Sequence, residues 1–363
     1  IIGPVLPKEY TMPAAIVVLG ALTVIYTYRG GMKAVVWTEL LQASIYLLGG
    51  ISALVLIGQS VDGGWSTIIE RAGAAGKLQT ISWYTGFDQP HTMFAGLIGG
   101  AFLAMASHGA DQIIVQRLLS SRSLKQAQVA IIGSGFAVFA QMTLFLFVGL
   151  GLWVLYEGRP FSAADQIFPT YIIERMPHGL IGLIVAAIIA ATMSTHSGAI
   201  NALAASSTHD IYLPFTKRSP DDPRTLQVGK RFALSWGIVL TAGALMFKEN
   251  GTPVVVVALS IASFTQGGLL GGFFLGMFWK RAIQRDAILG MSVGISCMAF
   301  IVFAKQIVAA YPSMASTLGG VATIAWPWYV LIGLSITFVT GVLSSFTHAA
   351  QFDVPPSSTR TRA

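Results

Sequence analysis

The sequence reads as an all-α integral membrane protein, and three observations lead there: its composition, the recurrence of long charge-poor stretches, and the gathering of basic residues between them. Apolar residues make up 54% of the 363 positions and charged residues 10%, against about 25% charged in soluble domains, and mean hydropathy is +0.69. A chain of this kind is solvated by lipid rather than by water. Its excess of 22 Lys+Arg over 15 Asp+Glu would suggest nucleic acid in a soluble protein. Here the basic residues fall in short loops and mark topology instead.

A hydrocarbon core is crossed by about 20 apolar residues in a helix. Nine stretches of suitable length occur, over 12–28, 34–57, 93–119, 128–156, 180–206, 232–247, 254–279, 287–309 and 326–346. They are continuously apolar without strand-like alternation, which argues for helices and against an outer-membrane barrel. Fifteen of the 22 basic residues lie on one side of this arrangement, among them Arg29, Lys33, Arg117, Arg122, Lys217 and Arg281. Because cytoplasmic loops are enriched in Lys and Arg, the N-terminus of the chain is expected outside and the C-terminus inside the cell membrane. The loops 58–92 and 157–179 are then external, with Gly63-Gly64-Trp65 and Trp83 suited to amphipathic pieces lying at the membrane surface. The expected organisation is one transmembrane domain over 1–352 and a short disordered cytoplasmic tail over 353–363, where Pro355-Pro356-Ser357-Ser358 and two arginines follow Asp353. The chain opens on Ile1 with no signal-peptide pattern, as a truncation point would. Its single cysteine, Cys297, excludes a disulfide framework within the chain.

Chemistry concentrates at a few interruptions of the apolar runs. In the third span Gly96, Gly99 and Gly100 precede Ala106-Ser107-His108-Gly109-Ala110-Asp111. Polar groups and glycine inside a span suit a broken helix of the kind transporters use to bind solute, with the Asp111 carboxylate capping the second half. The competing reading is an intact helix with close-packing glycines. His108 is then either a solute contact or a packing histidine. In the fifth span Ala191, Ser194 and Thr195 stand at i, i+3 and i+4, putting a carbonyl and two hydroxyls on one face. Neutral oxygens of this kind suit sodium, although such hydroxyls also bond back to a carbonyl one turn earlier. Polar residues continue through His196, Ser197, Asn201, Ser206 and Asp210. Glu39, within Val36-Trp37-Thr38-Glu39 beside the cytoplasmic end of the second span, can line an ion path or simply complement a helix dipole. Gln141 lies inside the fourth span and can meet solute or a neighbouring helix. No phosphate loop, paired catalytic carboxylates or metal-ligand spacing supports an enzyme.

Three blocks carry a family resemblance. They are the run from Tyr28-Arg29-Gly30-Gly31 to Trp37-Thr38-Glu39-Leu40-Leu41-Gln42, then Asp111-Gln112-Ile113-Ile114-Val115-Gln116-Arg117, and Ala191-Thr192-Met193-Ser194-Thr195 leading to Asn201 and Asp210. A weaker fourth is Gly271-Gly272 to Trp279-Lys280-Arg281. In order and spacing the chain resembles the sodium:solute symporter family, kin of the sodium/glucose, proline and monocarboxylate cotransporters. The resemblance implies the leucine-transporter-type inverted-repeat helical bundle, entered here at the fourth helix of its first half. It implies Na+ bound by the Ala191 carbonyl with the Ser194 and Thr195 hydroxyls, and a role in sodium exit or a second sodium for Glu39, where the family usually has Asp. Substrate residues carry over less well than the sodium set; the candidates for solute contact remain those of the interrupted spans, Ser107, His108, Asp111 and Gln141. It also implies that the first broken helix, which adds carbonyls to the sodium site, is missing, so that the chain alone should not transport. Sugar-binding relatives carry an aromatic residue near His108 and a Gln near Ala262, and this chain does not, whereas 266–277 is closer to the carboxylate and vitamin branch. The expected activity is sodium-coupled symport of a small organic solute by alternating access. The rivals are a membrane sensor domain and a sodium-independent facilitator.

Overall fold

The computed structural model describes residues 8–29, 32–119, 121–157, 159–247 and 253–348. The expected tail over 353–363 lies outside them. Every regular element among the described residues is helical: α1 Lys8–Arg29, α2 Met32–Ser60, α3 Gly64–Ala74, a π turn Ala95–Gly99 running into α4 Gly100–Gly109, α5 Gln112–Leu119, α6 Leu124–Leu155, α7 Ile167–Arg175, α8 His178–Ser206, a π turn Ser207–Tyr212, α9 Leu213–Thr216, α10 Pro223–Met246, α11 Val254–Phe278, α12 Gln284–Ala310, α13 Ala315–Ala322 and α14 Tyr329–Ser345. Seven helical stretches among them are long and apolar enough to cross a membrane. The protein is therefore multi-pass. The other two expected spans take different forms. The third is divided at its polar interruption, and α10 runs back from Phe232 to Pro223, so that it starts on a polar segment holding Lys230 and Arg231 and capped by Asp222 through the Arg224 amide. A helix start needs a cap more than it needs apolar residues.

The helices gather into two compact units, one drawn from 1–78 and 128–252, the other from 79–127 and 253–363. In the first, α8 packs on α1, α2 and α10. An apolar cluster closes one end of this unit, with Ile57 of α2, Ile68 of α3, Leu152 of α6, Tyr171 and Ile172 of α7 and Ile184 of α8 all buried. Gly58 allows it: a β-carbon there would strike the Trp65 indole, whose Nε1 donates to the Leu54 carbonyl at 3.2 Å. The stretch from Gly64 thus forms an amphipathic helix, α3, that packs on α2. Trp83 is not on such a helix. It stands exposed in an irregular loop over 79–92, where Gly86 and Pro90 oppose helix and the Met93 amide donates to the Ser82 carbonyl at 2.9 Å.

The second unit is stitched by glycine. Helices α11, α12 and α14 approach closely enough that a β-carbon on Gly271 would lie 2.6 Å from the Thr337 β-carbon and one on Gly290 2.5 Å from the Thr337 carbonyl oxygen. Small residues permit this backbone proximity where lipid supplies no hydrophobic drive between helices. At one end, Trp279 Nε1 donates to Ser345 Oγ at 2.9 Å, and Arg281 donates to the Ser345 and His348 carbonyls at 2.9 and 2.8 Å. Those arginine bonds satisfy carbonyls that the end of α14 leaves open. Asp286, fully buried, accepts from the Ile283 amide at 2.9 Å and Ser344 Oγ at 2.6 Å and pairs with His348 Nε2 at 2.9 Å.

Candidate sodium face and helix break

Helix α8 carries the residues expected to hold sodium, and the pattern of its hydroxyls distinguishes them from ordinary helix hydroxyls. Thr192 bonds back to the Ile188 carbonyl at 2.9 Å. Ser194 does not. Its Oγ donates to Glu39 Oε1 of α2 at 3.2 Å, and among the described residues no hydrogen bond reaches the Thr195 hydroxyl, which is exposed. Ala191, Ser194, Thr195 and Glu39 line one cavity of about 960 Å³. A helical carbonyl keeps a second lone pair, so this wall offers a carbonyl, two hydroxyls and a carboxylate. The set is all oxygen, with a single formal charge, as a hard monovalent cation requires. The sequence left open whether the hydroxyls were occupied by their own helix; for Ser194 and Thr195 they are not.

The other polar residues of the fifth span divide by surroundings. Ser197 is buried and paired with the Thr27 hydroxyl of α1 at 2.8 Å. Ser207 is buried and accepts from Trp236 Nε1 of α10 at 2.9 Å, while Ser206 donates to Asp210 at 2.5 Å. These fasten α8 and its π turn to neighbours. Gln141 interacts with the Tyr46 hydroxyl of α2, so its side chain meets a neighbouring helix, and Tyr46 in turn lines the cavity.

In the second unit the third span is broken, one step later than expected. Ser107 and His108 belong to the last turn of α4, and the interruption is confined to Ala110 and Asp111. The Ala110 amide makes the last i to i−4 bond, to the Ala106 carbonyl at 3.0 Å, and the Asp111 amide turns back to that same carbonyl at 3.1 Å, where the regular ladder ends. Asp111 then caps α5, its Oδ1 accepting from the Ile113 amide at 2.9 Å. Gly96, Gly99 and Gly100 lie in and beside the π turn Ala95–Gly99, and Gly99 serves close packing: it meets the Pro327 backbone so closely that a β-carbon would stand 2.5 Å from its oxygen. His108 Nδ1 lies 2.9 Å from Ser107 Oγ and 3.1 Å from the Ala104 carbonyl, folded onto its own helix.

Beyond α6 an ionic clasp secures α7. Arg159 meets Glu174 with two bonds of 2.7 and 2.9 Å and lies over the Tyr156 and Phe161 rings. The guanidinium holds the Glu174 carboxyl below its ordinary range. Burial pushes the Tyr171 phenol up to about 12.

Comparison with known proteins agrees with this architecture. A model of the sodium:solute symporter family matches residues 6–294. The chain belongs to that family. Similar relatives include the sodium/sialic acid symporter NanT of Aliivibrio fischeri, 28% identical over 78% of this chain and 57% of its own length. The sodium-dependent multivitamin transporter of Oryctolagus cuniculus is 30% identical over 79% of this chain and 46% of its own, and the human sodium-coupled monocarboxylate transporter 1 is 29% identical over 83% and 50%. The chain thus spans about half the length of the relatives it matches. Among solved structures, the substrate-bound outward-open state of a Na+-coupled sialic acid symporter superposes with a TM-score of 0.74 at 27% identity, over 93% of this chain and 67% of that one. The family's leucine-transporter-type helical fold is the fold of this chain.

Two features escaped sequence reasoning. Asp286 was not singled out; its position three residues after Ile283, at the start of a helix, is the available signal of a cap. His196 was read only as part of a polar run, yet its ring lines the same cavity as Ser194 and Thr195.

Proposed function

We propose that the full-length polypeptide carrying this chain is a sodium-coupled secondary active symporter of a small organic acid, working by alternating access. Sodium is held by the Ala191 carbonyl and the Ser194 and Thr195 hydroxyls, with Glu39 supplying negative charge and a path for exit or a second sodium site. The observation that carries this reading is the Ser194 to Glu39 hydrogen bond of 3.2 Å on a cavity wall where Thr195 remains open. Candidate solute contacts in the second unit are Ser107, His108 and Asp111, where the broken third span frees backbone and side-chain donors; in the first unit the candidate is Gln141, beside Tyr46. An organic acid is favoured because relatives are named for sialic acid and monocarboxylate transport. The chain is one transmembrane transporter domain over 1–352 without catalytic function, its N-terminal end outside and its C-terminal end cytoplasmic, following the distribution of Lys and Arg.

The test is uptake of a panel of labelled acids, sugars and vitamins into proteoliposomes holding the full-length protein, with sodium or choline outside. Accumulation of an acid only with sodium supports the reading. Uptake indifferent to choline replacement would make the protein a facilitator.

A further inference from the structure

We infer that the exposed edge of α10, at its polar end, is a site for the headgroup of an anionic phospholipid, gripped by Arg224 and Arg231 with Lys217 beside them.

The sequence of α10 sets the pattern. Seven residues make almost two turns at about 100° each, so Arg224 and Arg231 share one edge of the helix, with Gln227 and Leu234 flanking it. Ser235, Ile238 and Ala242 continue that edge, with Leu245 alongside, and every one of these residues is exposed. The other side of α10 is packed: Thr225 and Gly237 are buried, and a β-carbon on Gly237 would strike Val24 of α1. The free edge therefore passes from two cations to aliphatic side chains, the order in which a helix meets headgroups and then hydrocarbon. Phe215 of α9, 85% exposed, and Leu226 of α10, also exposed, add apolar surface beside the charges, a mixture suited to the membrane interface.

The charge on this edge is left over from the fold. Residues 217–231 hold five basic residues and two acidic ones, and the interactions of the segment occupy the wrong cations. Arg218 pairs with Asp222 at 3.3 Å, and Asp222 also caps α10 through the Arg224 amide. Lys230 lies over the Tyr28 ring at 5.0 Å, and on the neighbouring π turn Asp210 accepts from Ser206. Among the described residues no hydrogen bond or ion pair reaches the side chains of Lys217, Arg224 or Arg231, and all three are exposed. Asp221 offsets one of these charges.

A phosphodiester fits what remains. Each guanidinium presents a fork that matches two phosphate oxygens. Arg224 and Arg231 stand about 10 Å apart along the axis, a span that two long side chains close around one phosphate, and the Gln227 amide between them can meet a glycerol or ester oxygen. Acyl chains then follow Leu234, Ile238 and Leu245, which a free phosphate ion would leave unused. A zwitterionic headgroup brings its own cation to a surface that already has an excess of them, so the anionic lipid is preferred. Because α10 packs on α1 and α8, the lipid grips part of the frame of the first unit.

The measurement is displacement of fluorescent phosphatidylglycerol from the purified full-length protein in neutral detergent by unlabelled phosphatidylglycerol, phosphatidylcholine or inorganic phosphate. A cation near an anionic lipid surface is worth roughly fivefold in affinity. Phosphatidylglycerol should therefore displace the probe at a concentration at least about tenfold below phosphatidylcholine, and inorganic phosphate should be the weakest competitor. Lys217→Gln/Arg224→Gln/Arg231→Gln should bring the two lipids close to equality. Arg224→Lys/Arg231→Lys should keep most of the preference, which a disrupted helix would not. Arg122→Gln/Lys125→Gln, which removes two exposed cations of the second unit, should keep all of it. A preference unchanged in the triple variant overturns the inference. So does an equal loss in Arg122→Gln/Lys125→Gln, which would reduce the effect to overall charge, and so does inorganic phosphate competing as well as phosphatidylglycerol, which would remove the lipid from it.

Discussion

The two units solve opposite problems with similar helices. In the second, α11, α12 and α14 are drawn together on glycines until Thr337 is fully buried, its hydroxyl without a partner among the described residues. In the first, α8 is packed on α1, α2 and α10 but keeps one face open, so that Ala191 and Thr195 are exposed beside a cavity of about 960 Å³. Close packing gives a rigid body and leaves no room for a ligand. An open face leaves oxygens unsatisfied by protein, which is what an ion that must bind and leave requires. Glycine closes helix contacts in both units, Gly237 against Val24 in the first as much as Gly271 against Thr337 in the second, so the difference lies in the one face of α8 that keeps its oxygens open.

The largest effect should come from filling the tight interface. Gly290→Ala places a methyl against the Thr337 backbone, which cannot rotate away, and overpacking of this kind costs about 1–3 kcal/mol. Gly276→Ala meets nothing within 4 Å and should be neutral or stabilising by about 0.5–1 kcal/mol. Thermal unfolding of the two purified variants, both in the second unit, checks the contrast, and equal stability would show that the contact of α12 with α14 at Gly290 is not tight.

Next in size is the open face. Ser194→Ala or Thr195→Ala in the full-length protein removes one oxygen ligand and should raise the sodium concentration for half-maximal uptake about fivefold, as loss of about 1 kcal/mol does. Normal sodium dependence in both, at normal surface expression, would make the openness of α8 incidental. Asp111→Ala should cost about 1 kcal/mol by uncapping α5, and Asp111→Asn should recover most of it. Hydrogen exchange at the Ile113 amide reports the cap directly.

The smallest effect belongs to the ionic clasp of the first unit. The Glu174 carboxyl is held low by Arg159, so its contribution is present above the ordinary carboxylate range and is lost as pH falls through and below that range. The pair is exposed at 43% and 40%, and exposed ion pairs contribute little. Glu174→Gln should therefore leave the unfolding temperature at neutral pH nearly unchanged and slightly flatten its fall in acid. A large loss at neutral pH would show that the clasp, rather than the apolar cluster around Tyr171, holds α7 in place.

Much of this was legible in the chain itself, because lipid makes local sequence speak for structure. A helix in a bilayer must satisfy its backbone internally, so apolar length alone marked most spans, and Asp111 after a polar interruption marked both a break and its cap. The spacing of Ala191, Ser194 and Thr195 placed three oxygens on one face by helix geometry alone. What spacing could not decide was how those oxygens are used. Whether Ser194 turns to its own helix or to Glu39, 155 residues away in the chain, depends on where α2 lies against α8. In the same way Gln141 reached Tyr46, Gly99 met the Pro327 backbone, and Asp286, which caps its own helix at Ile283, also accepted from Ser344 and paired with His348. Each of these is a contact between segments far apart in sequence, set by packing geometry, and only the tertiary structure brings such partners together.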